Sequence, residues 1–180
     1  LGRKCLGVKF RAHALGLGLG VEQVRKLDEV NEKRRKVHQE FNQIAEEIPG
    51  LEPLKVLERA RPGGFYGYRL LYSAEDLGGL SMETFIQAMQ AEGAEVSRCD
   101  FPLLHALTLF ADGFDLYGGN RGPLSGDYPG SRKGALPVSE AVHGRVLALP
   151  ALTDPKPGVL KEYMEAFRKV AANVGMLKES

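Results

Sequence analysis

Two basic side chains, Lys9 and Arg11, occupy alternate positions near the start of the chain, and His13 follows two residues later. All three precede the first predicted helix. Two cations at this spacing can meet a dianion, and a planar guanidinium can bind two of its oxygens at once. A solvated basic turn is the simpler interpretation of the pair, and a histidine just ahead of a helix is commonly structural. The residues alone favour the turn and leave anion binding open.

A second candidate histidine is His105, at the end of the segment FPLLH. Imidazole changes its protonation state near neutral pH, which suits it to proton transfer and to hydrogen bonding with a ligand. A capping or internally satisfied histidine in an apolar turn explains the same pattern equally well. His38 and His143 lie among charged residues on predicted helices, and we interpret both as surface residues.

Other motifs in the chain predict no catalytic or metal site. Gly16, Gly18 and Gly20 lack the preceding strand and the spacing of a dinucleotide-binding loop, so we interpret Gly16 and Gly20 as part of a face for close helix packing. Ser139, Glu140 and His143 have no arrangement on a helix that would activate a serine. No cluster of His, Cys, Asp or Glu has the spacing of metal ligands.

One long amphipathic helix is predicted from Ala14 to Glu47, because apolar residues recur there at steps of three and four. At 1.5 Å per residue it spans about 50 Å, which exceeds the width of a small domain. We therefore expect it to join two bodies, and Pro49 and Gly50 to end it. This divides the chain into an inter-domain segment with the long helix, residues 1–48, and a small α/β domain, residues 49–180.

Strands and helices alternate in the second part of the chain. We predict strands near residues 65–72, 95–99 and 145–150, and helices near residues 82–92, 137–143 and 154–174. Ser81 and Asp154 are the predicted caps of the first and last of these helices. The glycine-rich stretch 117–135 is too long for an ordinary connection and is either functional or disordered. The pattern predicts an α/β fold in which a three-stranded sheet packs on helices.

The composition narrows the class of protein. A length of 180 residues with 43% hydrophobic residues suits one domain with a real core. A net charge of +1 gives no argument for a nucleic-acid or membrane partner. The chain has no apolar run near the roughly 20 residues that cross a bilayer, and no leader pattern, so we expect a cytoplasmic protein. Leu1 in place of methionine leads us to expect a piece of a longer protein.

Several stretches, taken in order, resemble the DegT/StrS family of pyridoxal-phosphate-dependent sugar aminotransferases. They cover most of the chain from Leu6 to Asn173. The matching stretches are the basic motif at 7–11, the helix sequence QVRKLDEVNEKRR, GLSMETFIQAMQAEG, FPLLH and LPVSEAVHGRVLALP. The resemblance implies the small C-terminal domain of fold-type-I aminotransferases, preceded by the helix that connects it to a large cofactor domain.

The resemblance also implies an activity and its partners. The whole enzyme would be a homodimer that moves an amino group from an amino acid, glutamate or glutamine, to a keto-sugar, often nucleotide-linked. Lys9 and Arg11 would reach the neighbouring subunit's active site, beside the cofactor phosphate or the substrate's anionic group. His13 and His105 would lie near the substrate.

The cofactor lysine is the main element that this sequence does not contain. Pyridoxal 5'-phosphate needs a lysine for its Schiff base and an acid for its ring nitrogen, and the family segments that carry them are absent from the 180 residues. We therefore expect no catalytic residue within this chain, and expect the cofactor to be bound mainly by a large domain outside it. The alternative is a non-catalytic, stand-alone interaction or dimerisation module.

Overall fold

The fold combines helices with one small antiparallel sheet. The structure, a computed structural model, describes residues 13–63, 66–99, 101–115, 117–119 and 124–179. The helices are α1 (Ala14–Arg25), α2 (Leu27–Glu46), α3 (Met82–Ala91), α4 (Thr108–Asp112), α5 (Pro137–His143), α6 (Val159–Ala172) and α7 (Val174–Glu179). The strands are β1 (Leu51–Pro53), β2 (Tyr68–Tyr72), β3 (Ser97–Arg98) and β4 (Val146–Leu149).

The sheet has the order β1-β2-β4-β3, and every neighbouring pair is antiparallel. The predicted α/β fold is thus confirmed, but the three-stranded sheet was wrong, because four strands are present among the described residues. The strand that was missed, β1, has only three residues and follows directly on the Pro-Gly pair that ends α2. Gly50 turns the chain into it at a φ of +82°, where a Cβ atom would lie 2.7 Å from the Ser73 carbonyl oxygen. The Pro-Gly pair indicated a turn, and the short strand that follows it was therefore not predicted.

The single long helix predicted from Ala14 to Glu47 is two helices in the structure. The helical hydrogen-bond pattern is interrupted at Lys26, whose N–H donates to the carbonyl oxygen of Gln23, three residues back, at 3.2 Å. No residue of α1 is buried, whereas α2 buries Val37, Phe41, Ile44 and Ala45. The packing partner expected for Gly16 and Gly20 is not found among the described residues, since nothing there lies within 4 Å of a Cβ built at either glycine.

The helices that follow begin with caps of two different kinds. The Ser81 hydroxyl accepts a hydrogen bond from Thr84 N at 3.0 Å, so the predicted cap of α3 is confirmed. The cap predicted at Asp154 was wrong, because α6 begins only after Gly158, which has a left-handed φ of +97°. Prolines at 155 and 157 explain the delay, since a residue before proline is disfavoured in helical conformation. Asp154 instead pairs with Lys33 at 3.3 Å.

The core lies where α2, α3 and α6 pack on one face of the sheet. Side chains of β2 alternate, so that Tyr68, Leu70 and Tyr72 are buried against the helices. Phe41 of α2 stacks on Tyr68 with a ring separation of 5.0 Å, and Phe85 of α3 contacts Tyr72 at 5.1 Å. Burial of the Tyr72 hydroxyl raises its pKa to about 12, and this hydroxyl donates to Leu80 O at 2.8 Å. Aromatic rings thus join the helices to the central strand.

The chain forms two compact units. One contains His13 and the described part of 100–144, and the other contains the described part of 14–99 together with residues 145–179. The division at residue 48 into an inter-domain segment and a small domain stays a prediction. No helix in the described ranges is both long and apolar enough to cross a membrane.

The first prediction concerns the core. Replacing Phe85, which is fully buried, with alanine is expected to lower the free energy of unfolding by about 3–5 kcal/mol, because a large cavity is left behind. The measurement is urea denaturation. Gln87→Ala on the exposed face of the same helix is the matched control and should change the value by less than about 0.5 kcal/mol. Equal effects of the two variants would contradict the assigned core.

The second prediction concerns α1. Its apolar side chains Leu15, Leu17, Leu19, Val21 and Val24 are 52–75% exposed, so we expect this chain to self-associate. Sedimentation over a wide concentration range should show oligomers, and replacing Leu15 and Leu19 with serine should reduce them. Met176→Ser in α7, equally exposed at 69%, serves as the control. A monomer at all concentrations would refute the expectation.

Candidate functional site

Of the four side chains predicted to bind a ligand, two can be located. Lys9 and Arg11 lie outside the described residues, so their role stays a prediction. His13 is exposed and directly precedes α1. His105 is buried in a short 3₁₀ turn, Leu104–Ala106, with only 8% of its surface exposed. The candidate site is therefore built around His105.

His105 is anchored to a carboxylate on α5. Its Nε2 lies 2.7 Å from Glu140 Oε1. A carboxylate oxygen in this bond accepts, so Nε2 must carry the hydrogen, and in the neutral ring Nδ1 is then an acceptor. The bond fixes both the orientation of the ring and its tautomer. A histidine held in this way can accept a hydrogen bond from a hydroxyl group of a ligand, or take up a proton.

Glu140 in turn is held by the backbone. The Gly134 N–H donates to the same oxygen, Oε1, at 2.7 Å. The hydrogen bond from His105, followed by that from Gly134, keeps the pKa of the Glu140 carboxyl below its usual range, because both stabilise the charged form. Glu140 is therefore ionised at neutral pH and remains a competent partner for the imidazole.

A histidine of α5, His143, holds the other end of the FPLLH segment. His143 Nε2 donates to the Phe101 carbonyl oxygen at 2.8 Å. Glu140 and His143 are three residues apart and so share one face of the helix. Interpreting His143 as a surface residue missed this bond. Residues 101–105 are thus fastened to α5 at both ends.

A pocket of about 630 Å³ opens beside these anchors. Its volume lies within the range of pockets that hold small molecules. Its lining combines apolar groups with a few polar ones. The apolar residues are Phe101, Pro102, Leu103, Leu104, Phe110, Leu136 and Val142, and the polar residues are His105, Tyr128, Ser131, Ser139 and His143. Such a pocket can bind a ring-sized ligand while the polar groups set its orientation. No three His, Cys, Asp or Glu side chains within the described ranges are placed to hold a metal ion.

The glycine-rich stretch reaches the same pocket through Tyr128. Its described part is tied back to α4: Tyr128 OH donates to Phe110 O at 2.6 Å, and Ser131 N donates to the same oxygen at 3.1 Å. Gly130, at a φ of +75°, permits this, since a Cβ there would lie 2.3 Å from Ala111 O. These bonds make the described part of the loop a wall of the pocket.

Sequence reasoning missed Glu140 as a functional residue. Glu140 was considered only as the partner of a serine nucleophile, and its position on the helix does not allow it to activate Ser139. The spacing of Glu140 and His143 could have indicated this role. A carboxylate and a histidine one turn apart on a short helix can form hydrogen bonds with two points of a neighbouring segment. The pairing with His105 itself spans 35 residues and is not encoded in any local pattern.

The third prediction tests the anchor through its pH dependence. The pKa of Glu140 is lowered from an ordinary value of 4.5, so the stabilisation it provides is complete above that value and is lost as the pH falls through the lowered pKa. We expect the Gly134 amide proton signal in NMR spectra to titrate below pH 4.5, and this titration to vanish in Glu140→Gln. Asp127→Asn, an exposed acid of the same unit, should leave it intact. Titration at or above 4.5 would contradict the assignment.

Comparison with known proteins gives a consistent relationship. A model of the DegT/DnrJ/EryC1/StrS aminotransferase family matches residues 1–168. No curated protein matches the chain. Among solved structures, the fold is similar to that of an aminotransferase, TlmJ, from Streptoalloteichus hindustanus, with 18% identity and a TM-score of 0.61 over 91% of this chain and 37% of that one.

A DegT DnrJ EryC1 StrS aminotransferase from Brucella abortus is also similar, with 16% identity and a TM-score of 0.58 over 84% of this chain and 34% of that one. The chain thus spans about a third of the length of these two proteins. At such identities the structures show a shared fold, while the family model covers nearly the whole sequence. The chain belongs to the DegT/DnrJ/EryC1/StrS aminotransferase family.

Proposed function

We propose that this chain is the C-terminal part of an aminotransferase that moves an amino group from glutamate or glutamine to a keto-sugar, which is nucleotide-linked. The observation that carries the proposal is the family match over residues 1–168, in a chain that spans only 37% and 34% of two solved family structures. Members of the family generally use pyridoxal 5'-phosphate, which in the whole enzyme supplies the electron sink for amino transfer.

The described residues of this chain do not fit covalent attachment of that cofactor. A Schiff-base lysine needs a pocket that desolvates its amine, together with an acid for the ring nitrogen. The described lysines are exposed, apart from Lys33, which is half-exposed and paired with Glu29 and Asp154. We therefore assign cofactor attachment to the remainder of the whole enzyme.

The contribution of this chain is to bind and orient the substrate. His105, fixed by Glu140, presents a ring whose tautomer is set at one edge of an apolar pocket. That arrangement suits a sugar, which offers hydroxyl groups to Nδ1 and ring carbons to the apolar wall. Lys9 and Arg11 supply two positive charges for a phosphate or diphosphate, and we assign them to the active site of the neighbouring subunit in a homodimer.

The alternative is a stand-alone interaction or dimerisation module. The observation in its favour is α1, whose apolar side chains are exposed throughout. The reading frame upstream of Leu1 discriminates between the two proposals. A continuous frame that encodes the cofactor lysine supports the aminotransferase, and a start codon close to Leu1 supports the separate module.

The fourth prediction is that this chain alone does not attach pyridoxal 5'-phosphate. Exposed lysines form only a random, weak adduct, so titration should give no stoichiometric aldimine absorbance. Reduction with borohydride followed by peptide mapping should find no single modified lysine. A stoichiometric adduct with turnover of glutamate would overturn the proposal that the catalytic lysine lies elsewhere.

The fifth prediction is that Arg11 acts across the dimer of the whole enzyme. Mixing a variant that lacks the cofactor lysine with Arg11→Ala should restore activity, because one site of the hybrid dimer then contains both groups. Differently tagged chains establish that subunits have exchanged. Confirmed hybrids without activity, when Arg11→Ala alone is inactive, would place Arg11 in its own subunit. Full activity of Arg11→Ala would show that the basic pair is only a solvated turn.

A further inference from the structure

A second pocket, of about 510 Å³, lies between α2, the segment after β1 and the start of β2. All of its described lining residues belong to the larger unit. Three of them are cations, Arg35, Lys55 and Arg69, and none is acidic. Neither His13 nor His105 lines it.

The three cations differ in how their charge is balanced. Arg35 pairs with Glu32, and the exposed Lys55 pairs with Glu52 at 3.5 Å. Arg69 is half-buried, and its hydrogen bonds within the described residues go to two backbone carbonyls, Tyr68 O at 2.9 Å and Leu149 O at 3.5 Å. Carbonyl oxygens orient a guanidinium but carry only partial charge. Within the described residues no carboxylate lies within ion-pair distance of Arg69, so its charge lacks a formal counter-charge there.

Gly67 makes room for this arrangement. A Cβ atom at that position would lie 2.6 Å from Arg69 Nη1 and 3.0 Å from Leu149 O. Any larger residue at 67 would therefore displace the guanidinium from its carbonyl partners. Glycine at position 67 thus leaves the space that the guanidinium occupies.

His38 lines the pocket and lies near the positive charges of Arg34 and Arg69. Its ring is half-buried and lies edge-on to Tyr68, with 5.1 Å between ring centres, so interpreting it as a plain surface residue was wrong. Desolvation lowers the pKa of His38 first, and the positive charges of Arg34 and Arg69 lower it further. An anion bound here would oppose that second effect.

The remaining lining groups indicate what the uncharged part of a bound anion would be. The Tyr68 hydroxyl donates to the Asn42 carbonyl oxygen, so the Asn42 amide keeps its NH₂ group as a donor. Leu54, Val56 and Pro62 give the rim an apolar side. A pocket of this volume is too large for an inorganic anion alone and suits an anion that carries an apolar ring.

We propose that this pocket binds a phosphate monoester with a ring-sized body, such as a nucleoside monophosphate, whose phosphate is held by Arg69 and Arg35 and whose ring lies against the apolar rim. Arginine suits this role because its fork can bind two phosphate oxygens in parallel. The proposal concerns binding by this chain itself and goes beyond the aminotransferase assignment.

The test is calorimetric titration of this chain at low ionic strength, where exposed charges are least screened. The probes are uridine monophosphate, uridine and inorganic phosphate. We expect saturable binding of uridine monophosphate, weaker binding of inorganic phosphate, and little binding of uridine. No saturable binding of the monophosphate, or equal affinity for uridine and uridine monophosphate, would overturn the proposal.

Two variants assign the binding to Arg69. Arg69→Gln should weaken binding about tenfold or more, because charge-assisted hydrogen bonds are lost. Arg145→Gln is the matched control, since Arg145 also donates to a carbonyl, Tyr72 O at 2.9 Å, but does not line the pocket. Gly67→Ala keeps every charge, yet should also weaken binding by displacing the guanidinium. Binding unchanged in both pocket variants, or reduced equally by Arg145→Gln, would refute the site.

An NMR titration of His38 gives an independent readout. The bound monophosphate should raise the pKa of the imidazole, because a nearby negative charge stabilises its protonated form. Uridine should leave that pKa unchanged. These measurements involve no turnover, so a failure of the proposed aminotransferase activity and a failure of this site are distinguished.

Discussion

The structure of the larger unit depends on one strand, β2, being covered on one face by aromatic rings. Within the described part of the chain β2 pairs with both β1 and β4, and its alternate residues Tyr68, Leu70 and Tyr72 are almost fully buried. Phe41 and Phe85 carry that layer into α2 and α3. Because successive side chains of a strand point to opposite faces, the burial of Tyr68 places Arg69 on the other face. The same alternation thus buries the Tyr68 ring and leaves the Arg69 side chain half-buried.

The smaller unit is organised differently. Among its described residues, His105 alone is buried, and no apolar side chain is. What holds the segment together is a set of polar bonds: His105 to Glu140, Glu140 to Gly134, His143 to Phe101 and Tyr128 to Phe110. Polar bonds are directional and contribute modest net stability. These bonds therefore fix the geometry of the pocket but add little to the free energy of unfolding.

Local signals in the sequence were enough to predict much of this fold. The predictions of the Ser81 cap, of the apolar stripe of α3 and of Pro137 at the start of α5 were correct, because each feature depends on residues that are close together in the sequence. The break at Lys26 was missed because it has no distinctive composition, and the strand β1 was missed because it is short and follows a Pro-Gly pair that indicates a turn. Glu140 and Arg69 were missed for another reason. Their significance arises from contacts with residues 35 and 80 positions away, which no local pattern records.

The order of strands in the sheet determines where the sequence of this protein can vary in length. β3 and β4 are neighbours in the sheet, yet the segment 100–144 separates them in the chain. Cys99 N donates to Val146 O at 3.0 Å, so both ends of that segment are fixed side by side. The entropy of closing such a loop grows only with the logarithm of its length. Residues can therefore be added to or removed from this segment at little cost to the sheet, which makes it the part of the chain where length and sequence can diverge while the framework is retained.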